Sequence, residues 1–169
     1  YLSGITLAIL APDRRAALID LLTQLSKNSR IVFDPNIRPA LWQDMETCKE
    51  NISAVAAISN IILPSFDDES TLFGDPSPQE TVHRYLELGA AEVIVKNGKH
   101  PCCYSQDGNV HALDTPPVTQ VVDATGAGDS FNAAFLAKRL GGADCATAIM
   151  AGQALSARVI QCHGALLFV

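Results

Sequence analysis

Short runs of β-branched and aliphatic residues alternate along this chain with longer stretches of helical apolar spacing. Residues 3–10 (SGITLAIL) read as a short buried strand or strand end, 31–33 as a short β-type run, 60–63 as a buried strand and 92–96 as a strand. Pro12 and Asp13 suit a first helical turn, and Ala17, Leu18, Leu21, Leu22 and Leu25 follow as one apolar stripe. Residues 45–57 read as a helix with Ile52, Val55 and Ala56 turned inward. Ser65 with Asp67, Asp68 and Glu69 opens a short helix that Gly74 ends, and Ser77-Pro78-Gln79-Glu80 opens another that Gly89 closes. Parallel strands cannot be joined by a tight turn; they need a crossover, usually helical. The alternation therefore predicts an α/β fold: a mostly parallel sheet flanked by helices. Residues 102–105 and 110–113 flank Gln106-Asp107-Gly108-Asn109 and predict an antiparallel hairpin at the sheet edge. Two helices are expected after it, one to about Leu140 and one from about Asp144 to Gln161.

At 169 residues, 48% of them hydrophobic and 18% charged, the chain can bury a core and lacks a disordered composition. It reads as one continuous domain, 1–169, without repeats or low-complexity linkers. The net charge is -6 and no basic cluster occurs, so neither nucleic acid nor an anionic membrane is an expected partner. No apolar run reaches the roughly 18 residues of a membrane span. Tyr1 is not a start Met and no signal-peptide pattern follows, so a piece of a longer protein is expected. The five Cys are odd in number and form no C-x-x-C pair, which fits a reducing cytoplasm better than a disulfide or zinc framework. The four His are scattered without metal-ligand spacing.

The chemistry concentrates in Asp123-Ala124-Thr125-Gly126-Ala127-Gly128-Asp129, ahead of the helix-forming run Ser130 to Lys138. A small-residue turn that opens a helix leaves backbone N–H groups unpaired, at the positive end of the helix dipole. Such a turn can hold an anion such as phosphate. A dinucleotide fingerprint would need a third Gly where Phe131 stands, and a P-loop would need Gly-Lys-Ser/Thr. Both are excluded. Residue types alone leave an anion hole and a plain turn equally open, with the Asp129 carboxylate placed where an anion would be repelled unless it abstracts a proton.

The seven residues 123–129, with Ser130-Phe131 behind them, resemble the C-terminal signature of the ribokinase-like (PfkB) carbohydrate kinases. The resemblance implies that Asp129 is the general base for the sugar hydroxyl. It also implies that Gly126, Ala127 and Gly128 hold the transferring phosphoryl group of ATP. Ala124 departs from the Thr common in the family. Residues 3–8 and 33–42 are similar to segments of the 2-keto-3-deoxygluconate kinases within that family. That similarity implies phosphorylation of 2-dehydro-3-deoxy-D-gluconate at its 6-hydroxyl. Arg38 would bind the carboxylate, with Asp34 and Asn36 shaping the pocket; Arg suits a carboxylate because its planar fork meets both oxygens. A polar loop with one internal ion pair is the plainer account of the same three residues.

Further implied positions each have a plainer alternative. Ser65 with Asp68 or Glu69 would hold Mg²⁺ through water, or would simply cap a helix. Lys96 and Gly98 would run beside the nucleotide phosphates, or would end a strand. Gln153, with Gly152 and Gly164-Ala165, would wall the adenine side, or would pack helices. Asp123 and Thr125 match positions near a monovalent cation, K⁺, in some relatives; Thr125 also belongs to the phosphate-binding turn. The resemblance spans the whole chain but only the C-terminal half or so of the family, without the lid through which members often dimerise. The rival readings are another sugar kinase of the family, a fructokinase or ribokinase, and a non-catalytic binding protein on the same scaffold.

Overall fold

In the computed structural model, which describes residues 1–165, six strands lie side by side in the order β1 (Leu2–Ser3), β2 (Val32–Asp34), β3 (Ile61–Ile62), β4 (Glu92–Val95), β5 (Cys102–Gln106) and β6 (Asn109–Leu113). The first four run parallel, with Leu2 opposite Phe33, Phe33 opposite Ile62, and Ile62 opposite Val93. β5 reverses, placing Tyr104 opposite Ile94. The turn into β6 puts Asp107 and Gly108 at φ 52° and 76°, the left-handed pair of a tight hairpin turn. Both the parallel sheet and the hairpin edge match the sequence expectation.

The residues group into two compact units. The first holds residues 1–97 and 103–112. Its core includes Leu7, Phe33, Trp42, Ile52 and Val55 in one apolar cluster, and Ile62, Val82, Tyr85 and Val93 in another. The helices α3 (Met45–Ala56), α4 (Phe66–Phe73) and α5 (Pro78–Glu87) fall where the sequence puts them. Gly74 at φ 79° ends α4, and the Ser77 hydroxyl accepts from the Glu80 N–H at the start of α5.

One expectation fails. Residues 3–10 are not a strand: only Leu2–Ser3 pairs with β2, and Gly4–Ile9 forms α1. The Ser3 hydroxyl accepts from the Ile5 N–H and turns the chain into the helix. A Cβ at Gly4 would lie 1.9 Å from the Pro35 carbonyl oxygen, so only glycine admits the approach. The stripe on α2 (Pro12–Leu25) is also shallower than predicted: Leu21 and Leu25 are exposed, and the one buried residue of the helix is Arg15. Its guanidinium donates to the Leu7 and Leu10 carbonyls and lies over the Trp42 ring, satisfying the C-terminal end of α1.

The second unit holds residues 98–102 and, as described, 113–165. Two helices, α6 (Ala127–Leu140) and α7 (Cys145–Val159), pack on each other. Phe131 presses on Gly152, where a Cβ would come within 2.8 Å of the ring. Asp144 caps α7 through the Thr147 N–H at 2.7 Å. Among the described residues no helix is long and apolar enough to cross a membrane.

Candidate active site

In the first unit, the polar residues of the candidate site collect at the carboxyl ends of the parallel strands, where open α/β sheets place ligands. Asp34 ends β2 and is 3% exposed. Its Oδ1 lies 3.6 Å from Lys96 Nζ, and the Tyr1 hydroxyl donates to its Oδ2 at 3.4 Å. Asn36 follows at φ 37°, a left-handed conformation that costs a non-glycine residue energy and turns the loop sharply. The Arg38 Nη1 donates to the Ile37 carbonyl at 2.8 Å and lies 3.6 Å from Asp68 Oδ2. The plainer reading of this loop is thus corrected. Arg38 pairs outside the loop, with Asp68, and Asp34 faces Lys96.

Ser65 occupies the N-cap position of α4, yet its hydroxyl makes no cap bond. Its backbone carbonyl does the work, accepting from the Asp68 and Glu69 N–H groups, and the residue bridges to Lys96. Burial pushes the Asp68 carboxyl up; Arg38, the Ile37 N–H and Lys96 pull it down, and Asp34 adds to the push. Glu69 is fully enclosed. Its Oε2 accepts from Arg84 Nη2 at 2.7 Å and from the Tyr85 hydroxyl at 2.8 Å, while Arg84 also donates to Asp75 and stacks on Phe73. Burial raises the Glu69 carboxyl to about 7 against the pull of Arg84 and Tyr85.

The two acids of the predicted pair are therefore unlike: Asp68 keeps a partly exposed carboxylate, and Glu69 is committed to the interior. Among the described residues no three metal-capable side chains gather. Mg²⁺ needs no such cage, because it keeps several waters and takes one or two carboxylates beside phosphate oxygens. Asp68 fits that mode of binding, and Glu69 is sealed from it.

The second unit holds the 123–129 turn. Asp123 Oδ1 accepts from the Thr125 N–H at 2.9 Å and Oδ2 from the Gly164 N–H at 3.0 Å. Bonds from Thr125 and Gly164 to the ionised carboxylate lower its pKa to about 2. Gly126 sits at φ 78°, and a Cβ there would meet that of Ala165 at 2.7 Å. This makes Gly126 the N-cap of α6, with Gly128 and Asp129 in its first turn. The Ala127 N–H turns back to the Ala124 carbonyl. No acceptor among the described residues takes the N–H of Gly128 or Asp129. The Asp129 side chain is exposed and has no hydrogen-bond or ionic partner among the described residues.

Elsewhere in this unit, Gln153 Nε2 donates to the Asp114 carbonyl and to Thr115 Oγ1, and its Oε1 is buried without a partner among the described residues. Gly152 serves helix packing. Gly98 takes φ 56° in an open turn.

Sequence reasoning missed three contributors: Tyr1 on Asp34, Gly4 beneath Pro35, and the Arg84–Tyr85–Asp75 cage around Glu69. Only Gly4 carried a local signal, a glycine at the start of an apolar run. The others are ordinary residues until the fold assigns their neighbours.

The profile of a family described as pfkB family carbohydrate kinases matches residues 1–168. A 2-dehydro-3-deoxygluconokinase of Haemophilus influenzae is 39% identical over 170 residues, 99% of this chain and 54% of that protein. Among solved structures, the aminoimidazole riboside kinase of Salmonella enterica, complexed with aminoimidazole riboside and an ATP analog, superposes with TM-score 0.84 at 27% identity, over 98% of this chain and 57% of its own. A putative ribokinase II of E. coli in complex with ATP and Mg²⁺ superposes with TM-score 0.81 at 29% identity, over 96% of this chain and 52% of its own. The chain spans about half the length of the curated relatives it matches.

Proposed function

Because this chain belongs to the pfkB family of carbohydrate kinases, we propose that the protein carrying it transfers the γ-phosphoryl group of ATP to the 6-hydroxyl of 2-dehydro-3-deoxy-D-gluconate. The observation that carries this reading is the start of α6: a left-handed glycine, backbone N–H groups without acceptors, and an unpaired carboxylate in the same helical turn. Phosphoryl transfer asks little covalent chemistry of a protein and much positioning and charge stabilisation. Gly126, Ala127 and Gly128 form the turn that receives the charge growing on the phosphoryl oxygens; the Ala127 N–H is taken by the Ala124 carbonyl, so the amides of Gly128 and Asp129 are the ones left to meet it. Asp129 takes the hydroxyl proton as the sugar oxygen bonds to the γ-phosphorus. The bond from that phosphorus to the β,γ-bridging oxygen breaks, and ADP leaves.

Arg38 receives the sugar-acid carboxylate, and Asp34 and Asn36 shape the pocket beside it. Ser65, Lys96, Gly98, Thr125 and Gln153 serve the nucleotide side. Mg²⁺, when bound through water near Asp68, neutralises phosphate charge. Asp123 has both oxygens committed to amides, so its role is to hold the turn; a K⁺ site beside it would draw on backbone carbonyls. The reaction is read as cytoplasmic, in keeping with cysteines that form no disulfide among the described residues.

The substrate is tested by coupled ATP turnover with the keto-deoxy acid, fructose and ribose as acceptors. The sugar acid is expected to give the highest kcat/KM, and Arg38→Gln to abolish that preference. A higher kcat/KM for a neutral sugar would move the assignment to a fructokinase or ribokinase.

A further inference from the structure

The resemblance gives Asp68 to the metal, and its neighbours in the first unit point to a second role. The carboxylate lies 3.6 Å from Arg38 Nη1. Ile37 is buried in the apolar cluster under the loop, and the Arg38 Nη1 also donates to its carbonyl. The guanidinium is thus held both by Asp68 and by the backbone of its own loop. The position of Asp68 is fixed from below: the next residue, Glu69, is enclosed and held by Arg84 and Tyr85. Asp34 faces Lys96, and Arg38 has no ionic partner other than Asp68 among the described residues.

A half-exposed ion pair of this kind adds little stability. Its consequence is orientation: an arginine on a flexible stem loses rotamer freedom on binding a carboxylate, and a prior partner lowers that cost. We infer that Asp68 is a positioning residue for Arg38, holding the guanidinium ready for the carboxylate of the acceptor. The inference rests on the reading of Arg38 as the carboxylate-binding residue. It makes Asp68 a determinant of which sugars are used.

The test is a double-mutant cycle on the protein as the cell makes it, with Asp68→Asn, Arg38→Gln and both. Asn keeps the size but removes the charge. Asp68→Asn is expected to raise KM for the sugar acid about tenfold, the scale of a misdirected charged hydrogen bond. In the Arg38→Gln background the same change should add less than about twofold. Equal effects in both backgrounds, or an effect confined to MgATP, would overturn the inference and leave Asp68 with the metal alone. A wild-type protein inactive on the sugar acid would refute the functional reading instead. The positioning role is then decided by ¹⁵N relaxation of the Arg38 Nε–Hε group. Loss of order in Asp68→Asn supports it, and unchanged order refutes it.

Discussion

A carboxylate held at a pKa of about 2 is a local achievement, and Asp123 shows how it is made. Each oxygen accepts a backbone N–H, from Thr125 and from Gly164, and both bonds favour the charged form. Because the folded value lies below the ordinary one, ionised Asp123 holds the turn fully above pH 4, and its contribution is lost as pH falls through about 2. NMR should show the Thr125 and Gly164 amide signals moving with a midpoint near 2, and Asp123→Asn should abolish the movement. A midpoint near 4 would mean that the two bonds do not hold the ionised form. The Asp123 spacing was visible in the sequence, but its second partner lies far along the chain and was not. The same limit hid the partners of Asp34, Arg38 and Glu69. Charged residues were legible as candidates, and their pairing was settled only by the strands that bring them together.

Elements were legible where periodicity and caps agreed. Ser77 with Glu80 marked α5, and the Asp107-Gly108 pair marked the hairpin. Residues 3–10 failed because a short apolar run fits a strand or a buried helix equally well. What decided it was contact: α1 begins where Gly4 meets the Pro35 carbonyl, beneath the loop that carries Asn36 and Arg38. Gly4→Ala must push α1 or that loop aside. The expected cost is about 1–3 kcal/mol of stability, typical of overpacking, measured by thermal unfolding. KM for the sugar acid should rise as well, with nucleotide binding unchanged. Full stability in the variant would mean that the approach is not fixed.

For the molecule as a whole, strand–helix alternation dictated the parallel sheet, and the 123–129 turn dictated the family; both are now supported by the strand order and by the family match. The chemistry assigned to the turn depends on one side chain. Asp129 stands in the first turn of α6 beside amides that lack acceptors, where a carboxylate is otherwise unwelcome to an incoming phosphate. The most direct measurement is single-turnover phosphoryl transfer to the sugar acid by Asp129→Asn, alongside calorimetric binding of the nucleotide. Loss of the general base predicts a fall of about 10²–10⁴-fold in the transfer rate, with nucleotide affinity retained or improved. Transfer at the wild-type rate would contradict the assignment of Asp129 as the base.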